Sequence, residues 1–142
     1  MDNSAVAVMT RMFSALERRD KAAVLALFAT DADLFDPHYP KPAMKGRAEI
    51  EKGIDWGLSV MKQFGFRVVR TFPSADGQSA AFEIDTNHVL MAGQKLSFPQ
   101  VFIADTRDGL VTRLQAFEPY GPNGIGGIFL GLARLKRRLF GG

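Results

Sequence analysis

Apolar residues near the N-terminus recur at helical spacing. Val8, Met12, Ala15 and Leu16 share one face, and after a capping Asp20 a second stripe contains Val24, Leu25, Leu27 and Phe28. The pattern predicts two helices within residues 3–29. Asp31 to Asp36 then alternates as a short strand. Pro37, Pro40 and Pro42 enforce a loop, because each fixes φ and removes a backbone donor. Behind Gly46, the row Ile50, Ile54, Leu58 and Met61 predicts a third helix running to about Gln63.

From Gly65 the period changes from helical to alternating. Four strands are predicted at 66–73, 79–91, 95–106 and 110–118, parted by the turn signals Asp76-Gly77, Ala92-Gly93 and Asp108-Gly109. Their spacing suits an antiparallel meander and not parallel crossovers. A Gly-rich hinge over 121–127 leads into a last helical segment, 128–140. The fold class is α+β: N-terminal helices packed on a curved antiparallel sheet, with an extra C-terminal helix. Residues 1–120 read as the domain and 121–142 as hinge and basic amphipathic tail.

Composition narrows the chemistry. The chain has 142 residues, enough for one domain with a real core, and no cysteine. Disulfides, thiolate metal sites and a cysteine nucleophile are excluded. His38 and His88 are the only histidines, so no metal site is expected. The formal net charge of +3 comes from the tail. Setting aside Arg134, Lys136, Arg137 and Arg138 leaves 14 basic against 15 acidic residues. No basic stripe interleaved with aromatics crosses the body, so no nucleic-acid partner is expected. The polar, acidic start lacks a signal-peptide pattern, and the apolar run 125–135 is short of the ~20 residues of a span. The expected location is the cytoplasm.

Two segments carry candidate acid–base chemistry. Asp36 precedes a stiff proline loop with His38 and Tyr39. A carboxylate held there beside an apolar cavity has its pKa raised towards values useful for a general base, whereas the plainer role is capping the loop. In the strand Phe82 to His88, alternation sets Phe82, Ile84 and Leu90 on one face and Glu83, Asp85 and Asn87 on the other. The polar three line either a pocket or wet surface. His88 falls on the apolar side and reads as structural. The seven-residue segment from Gly121 lacks the Lys-Ser/Thr of a phosphate loop.

The stretches Leu27 to Pro37 (LFATDADLFDP), Lys45 to Ile50 (KGRAEI), Arg107 to Val111 (RDGLV) and Leu114 to Phe117 (LQAF) resemble the nuclear-transport-factor-2-like (NTF2-like) superfamily. The likeness is to its ketosteroid-isomerase-like and SnoaL-like members. It implies a cone-shaped fold, a bent sheet wrapped round a long helix, a pocket, and often a homodimer. Asp36 matches the family's catalytic aspartate, the base that moves a proton next to a carbonyl. The family's oxyanion-hole tyrosine corresponds to Met12, and its protonated aspartate falls at Val101 or Phe102. A limonene-epoxide-hydrolase-like comparison puts Asp85 at a catalytic aspartate, with Glu83 and Ala116 where that family has an arginine and a second aspartate.

These implications give the expected function: a cofactor-independent acid–base enzyme of isomerase or cyclase type. Its partner is a small hydrophobic carbonyl or epoxide compound, such as a polyketide, steroid or terpenoid. Asp36 is the base, with Asp85 as second catalytic carboxylate. Candidate substrate contacts are Met12, Leu16, His38, Tyr39 and Trp56, then Glu83, Asn87, Val101 and Phe102, and lastly Leu114, Ala116 and Glu118. The alternatives are a non-catalytic ligand-binding or dimerisation module, and epoxide-hydrolase-like water activation by Asp85. The tail is expected to pack on the domain or dimer, with peripheral contact to an anionic membrane as the other use.

Overall fold

A computed structural model describes residues 1–119 and 124–141. Helix α1 (Ala5–Glu17) starts where the Ser4 hydroxyl accepts the Ala7 N–H, and it buries Val8, Met9, Met12 and Phe13. Helix α2 (Lys21–Ala26) is capped by Asp20, which accepts the Ala23 N–H. Between them Arg19 takes a left-handed conformation, φ 59°, and its guanidinium donates to the Leu58 carbonyl at 2.7 Å. That cation closes the C-terminal end of helix α3 (Arg47–Val60), where unpaired carbonyls concentrate negative charge.

One curved, open sheet of seven strands receives these helices: β1 (Phe28–Phe35), β2 (Ala43–Lys45), β3 (Met61–Gln63), β4 (Phe66–Pro73), β5 (Ser79–Leu90), β6 (Lys95–Arg107) and β7 (Leu110–Phe117). The order is β2-β1-β7-β6-β5-β3, with β4 also on β5. The predicted meander is present in β4 to β7, paired antiparallel throughout. Strand β1 joins it parallel to β7. The edge strand β4 has a register shift between Val68 and Arg70 and ends in proline.

Several boundaries differ from the sequence expectation. Phe28 belongs to β1, where pairing with Val111 of β7 outweighs its local helical spacing. The third helix stops at Val60, and Met61 turns extended to pair with Leu90. Strands β2 and β3 are three residues each and were not foreseen, since such short strands exist only through their partners. Helix α4 (Gly124–Phe140) starts earlier than 128, while the first residues of the expected hinge, 121–123, lie outside the described residues.

The core joins Met9, Met12 and Phe13 of α1, Ile50 and Ile54 of α3, and the inner sheet face at Phe82, Ile84, Phe102 and Ala104. At Gly65 the chain passes so close to β5 that an added Cβ would collide with the Asn87 carbonyl oxygen, and the Asn87 N–H donates to the Gly65 carbonyl at 2.8 Å. Gly65→Ala is expected to lower stability by about 1–3 kcal/mol, read as a reduced urea midpoint at unchanged slope. Within the single chain Ile128 and residues 131–140 of helix α4 are exposed, so this part of the tail does not pack on its own domain. Among the described residues no helix is long and apolar enough to cross a membrane.

Candidate functional site

The connection from β1 to β2 builds the site. The Asp36 N–H donates to the Pro42 carbonyl at 3.0 Å, drawing residues 36–42 into a closed loop. Within it the Asp36 carboxylate accepts the His38 N–H at 3.0 Å, and the Tyr39 N–H donates to the Asp36 carbonyl at 3.2 Å. Asp36 therefore does cap the loop, as such residues do. Its carboxylate also faces a cavity of about 570 Å³ between α1, α3 and the inner sheet face.

Burial raises the Asp36 pKa, and the His38 N–H only partly offsets this by favouring the anion. Exposed His38 pairs through Nδ1 with the carboxylate of buried Glu118, which follows β7. The Tyr39 ring packs against Trp56 with centroids 5.2 Å apart. Gly57 makes room for it, because a Cβ there would sit 3.0 Å from the phenolic oxygen. Burial, then the nearby Asp36 charge, push the Tyr39 hydroxyl upward, so it stays a neutral donor.

At the other end of the cavity, His88 stands edge-on to Phe64 and Phe66. Desolvation lowers its pKa to about 4. The neutral ring accepts the Gly65 N–H at Nδ1, 3.1 Å away, which places the proton on Nε2. Among the described residues that Nε2–H has no protein partner. Gln100, on the same wall, donates from its amide nitrogen to the Thr86 hydroxyl and leaves its amide oxygen unpaired.

Eight of the expected residues besides Asp36 line this cavity: Met12, Leu16, His38 and Tyr39, with Trp56, Phe102, Leu114 and Glu118. Others are corrected. Asp85 is on the outer sheet face, paired with Arg67, and beside it Glu83 pairs with Arg70 at 2.7 Å. Asn87 accepts the Ser97 hydroxyl on that same face. Val101, opposite Glu83 in register, also points outward. Ala116 is on the inner face but packs in the core. The alternation of β5 was read correctly, but its polar face meets solvent, where charges cost nothing.

Asp85→Asn is accordingly expected to leave any turnover unchanged and to shift stability by less than about 1 kcal/mol, because its ion pair is exposed. Water activation by Asp85 inside the cavity is excluded by this placement. His88 and Gln100 were missed as cavity residues. The available signal was parity: both share a strand face with Ile84 and Phe102.

One oxygen or nitrogen each from Asp36, His38 and Glu118 lie within 4.8 Å of one another, the one such set found among the described residues. Two carboxylates and an imidazole are donors that suit a divalent cation.

The profile of the SnoaL-like domain matches residues 9–114 of the chain. The chain belongs to the SnoaL-like domain family. No curated protein matches it. Among solved structures, the Δ5-3-ketosteroid isomerase of a Mycobacterium species is 21% identical with a TM-score of 0.71, covering 79% of this chain and 90% of that one. A Mycobacterium tuberculosis protein in complex with estradiol-17β-hemisuccinate is 18% identical, TM-score 0.70, over 80% and 92% of the two chains. An NTF2-like protein of unknown function from Burkholderia pseudomallei is 17% identical, TM-score 0.72, over 84% and 92%. At these identities the likeness is one of fold, and this SnoaL-like chain shares the curved sheet and helices with all three.

Proposed function

We propose that this SnoaL-like protein binds a small hydrophobic carbonyl compound and moves a proton on the carbon next to the carbonyl. The observation that carries the reading is a carboxylate, Asp36, whose pKa is raised by burial against a mostly apolar cavity. A base so placed is stronger than an exposed aspartate and competes less with water. Proton removal leaves negative charge on the carbonyl oxygen, which needs neutral donors that do not lose their protons. The Tyr39 hydroxyl, in the same loop as Asp36, is such a donor, and the His88 Nε2–H is a second at the other end of the cavity, although the family's tyrosine position holds Met12. The volume, about 570 Å³, is in the range of small-molecule sites.

Deuterium exchange tests the reading. A panel of hydrophobic ketones, incubated with the protein in heavy water and a metal chelator, is expected to gain deuterium at the α carbon of those that bind. Exchange that requires an added divalent cation would transfer the role to the Asp36–His38–Glu118 set. Tight binding without exchange would favour the non-catalytic ligand-binding reading, which the preponderance of apolar lining supports. The reading includes a homodimer, which light scattering of the same preparation measures.

A further inference from the structure

Helix α4 has no counterpart in the chemistry above. Its residues Ile128, Leu132, Leu135 and Leu139 are spaced four, three and four apart and so fall on one stripe. That stripe lies open: Ile128 is 65% exposed and Leu139 64%. Lys136 and Arg138 flank it on either side, Arg134 lies further round and Arg137 on the opposite face, and the helix contains no acidic residue. None of its described residues enters the core.

We infer that α4 is an in-plane anchor for an anionic lipid bilayer. Three observations select this occupant. The helix carries four positive charges while the remainder of the chain is slightly acidic, so the chain's net positive charge, and with it the net attraction to negative headgroups, comes from α4. Two copies of α4 face to face would bring like charges together, and a nucleic acid would leave the leucine stripe in water. Finally, Gly124, Gly126, Gly127 and Gly131 make it a poor helix former in water, so an interface that buries the stripe supplies what propensity does not. Basic side chains flanking the stripe reach the headgroups while their stems cover apolar surface.

The anchor has a spatial consequence. Glu118 and Pro119 line the cavity, and α4 begins at Gly124. Five residues of chain reach at most about 18 Å. A seated α4 therefore keeps the cavity wall close to the bilayer, where an apolar ligand partitions. The docking stands whatever the cavity does to that ligand.

The full-length protein is sedimented with vesicles of phosphatidylglycerol and phosphatidylcholine in equal parts, and with phosphatidylcholine alone. It is expected to pellet with the anionic vesicles, and to be released by salt. Lys136→Gln with Arg138→Gln should lower the partition coefficient about 30-fold, roughly fivefold per charge. Leu132→Glu with Leu135→Glu should abolish it, while the thermal unfolding of the body stays where it was. Far-ultraviolet circular dichroism should show helix gained on the anionic vesicles. Absence of pelleting, or equal pelleting with neutral vesicles, overturns the proposal. A drop from dimer to monomer in the leucine variant without vesicle binding assigns the stripe to a second copy. Unfolding of the body in that variant assigns it to intramolecular packing, and either result also overturns the anchor.

Discussion

Asp36→Asn is expected to lower α-proton exchange by about a hundred- to ten-thousandfold, with ligand affinity little changed. The substitution preserves the shape of the loop. An asparagine oxygen accepts the His38 N–H as the carboxylate does, and the Asp36 N–H to Pro42 bond does not involve the side chain. What disappears is the proton acceptor. The stability of the variant gives an independent reading. Because the folded-state pKa of Asp36 is raised, its stabilising contribution is fully present below the ordinary carboxylate range and is lost as pH rises through the raised value. Above the raised pKa the folded protein holds a charge that burial disfavours, and asparagine removes it. The variant should match or exceed the parent in melting temperature at pH 7, and the difference should vanish near pH 3. An unchanged exchange rate would take Asp36 out of the mechanism. A strongly lowered melting temperature would make it a structural residue first.

The second large effect is expected in acid. The His88 pKa is depressed to about 4 by desolvation, against 6.5 for a solvated histidine. A base whose protonated form is disfavoured in the folded state contributes stability above pH 6.5 that is lost as pH falls towards 4. The loss at pH 4 is on the order of 3 kcal/mol. His88→Asn retains an acceptor for the Gly65 N–H but does not titrate. Urea unfolding of the two proteins at pH 7 and pH 4 isolates the term, since every other titrating group is common to both. The parent should lose more stability than the variant over that interval. Equal losses would mean that His88 is solvated in the folded protein.

The same residue shows where sequence reasoning ends. Period three-to-four apolar spacing located α1 and α3, and period two located β4 to β7, because each pattern follows from burying one side of a regular element. The parity of β5 was also legible. What parity does not carry is which face of a curved sheet encloses space. The cavity shares its wall with the core, so the residues facing it read as core: His88 beside Ile84, and Gln100 beside Phe102. Asp85 and Glu83 drew attention by their charge, and charge is the reason they stand outside with Arg67 and Arg70. Asp36 was accessible to the eye because a proline loop announces a chain reversal and because of its resemblance to a known catalytic aspartate. The contribution of Glu118 through His38 depended on β7 lying beside β1, a parallel pairing that no local pattern encodes.

The two borders of the sheet bear on how the protein survives crowding. One is β2, only three residues long, and the other includes β4, interrupted by its register shift, studded with Arg67 and Arg70 and closed by Pro73. A fibril grows by adding strands to a long, regular, uncharged border with free amides. Neither border offers one, so a concentrated preparation has no template on which neighbouring chains can zip together.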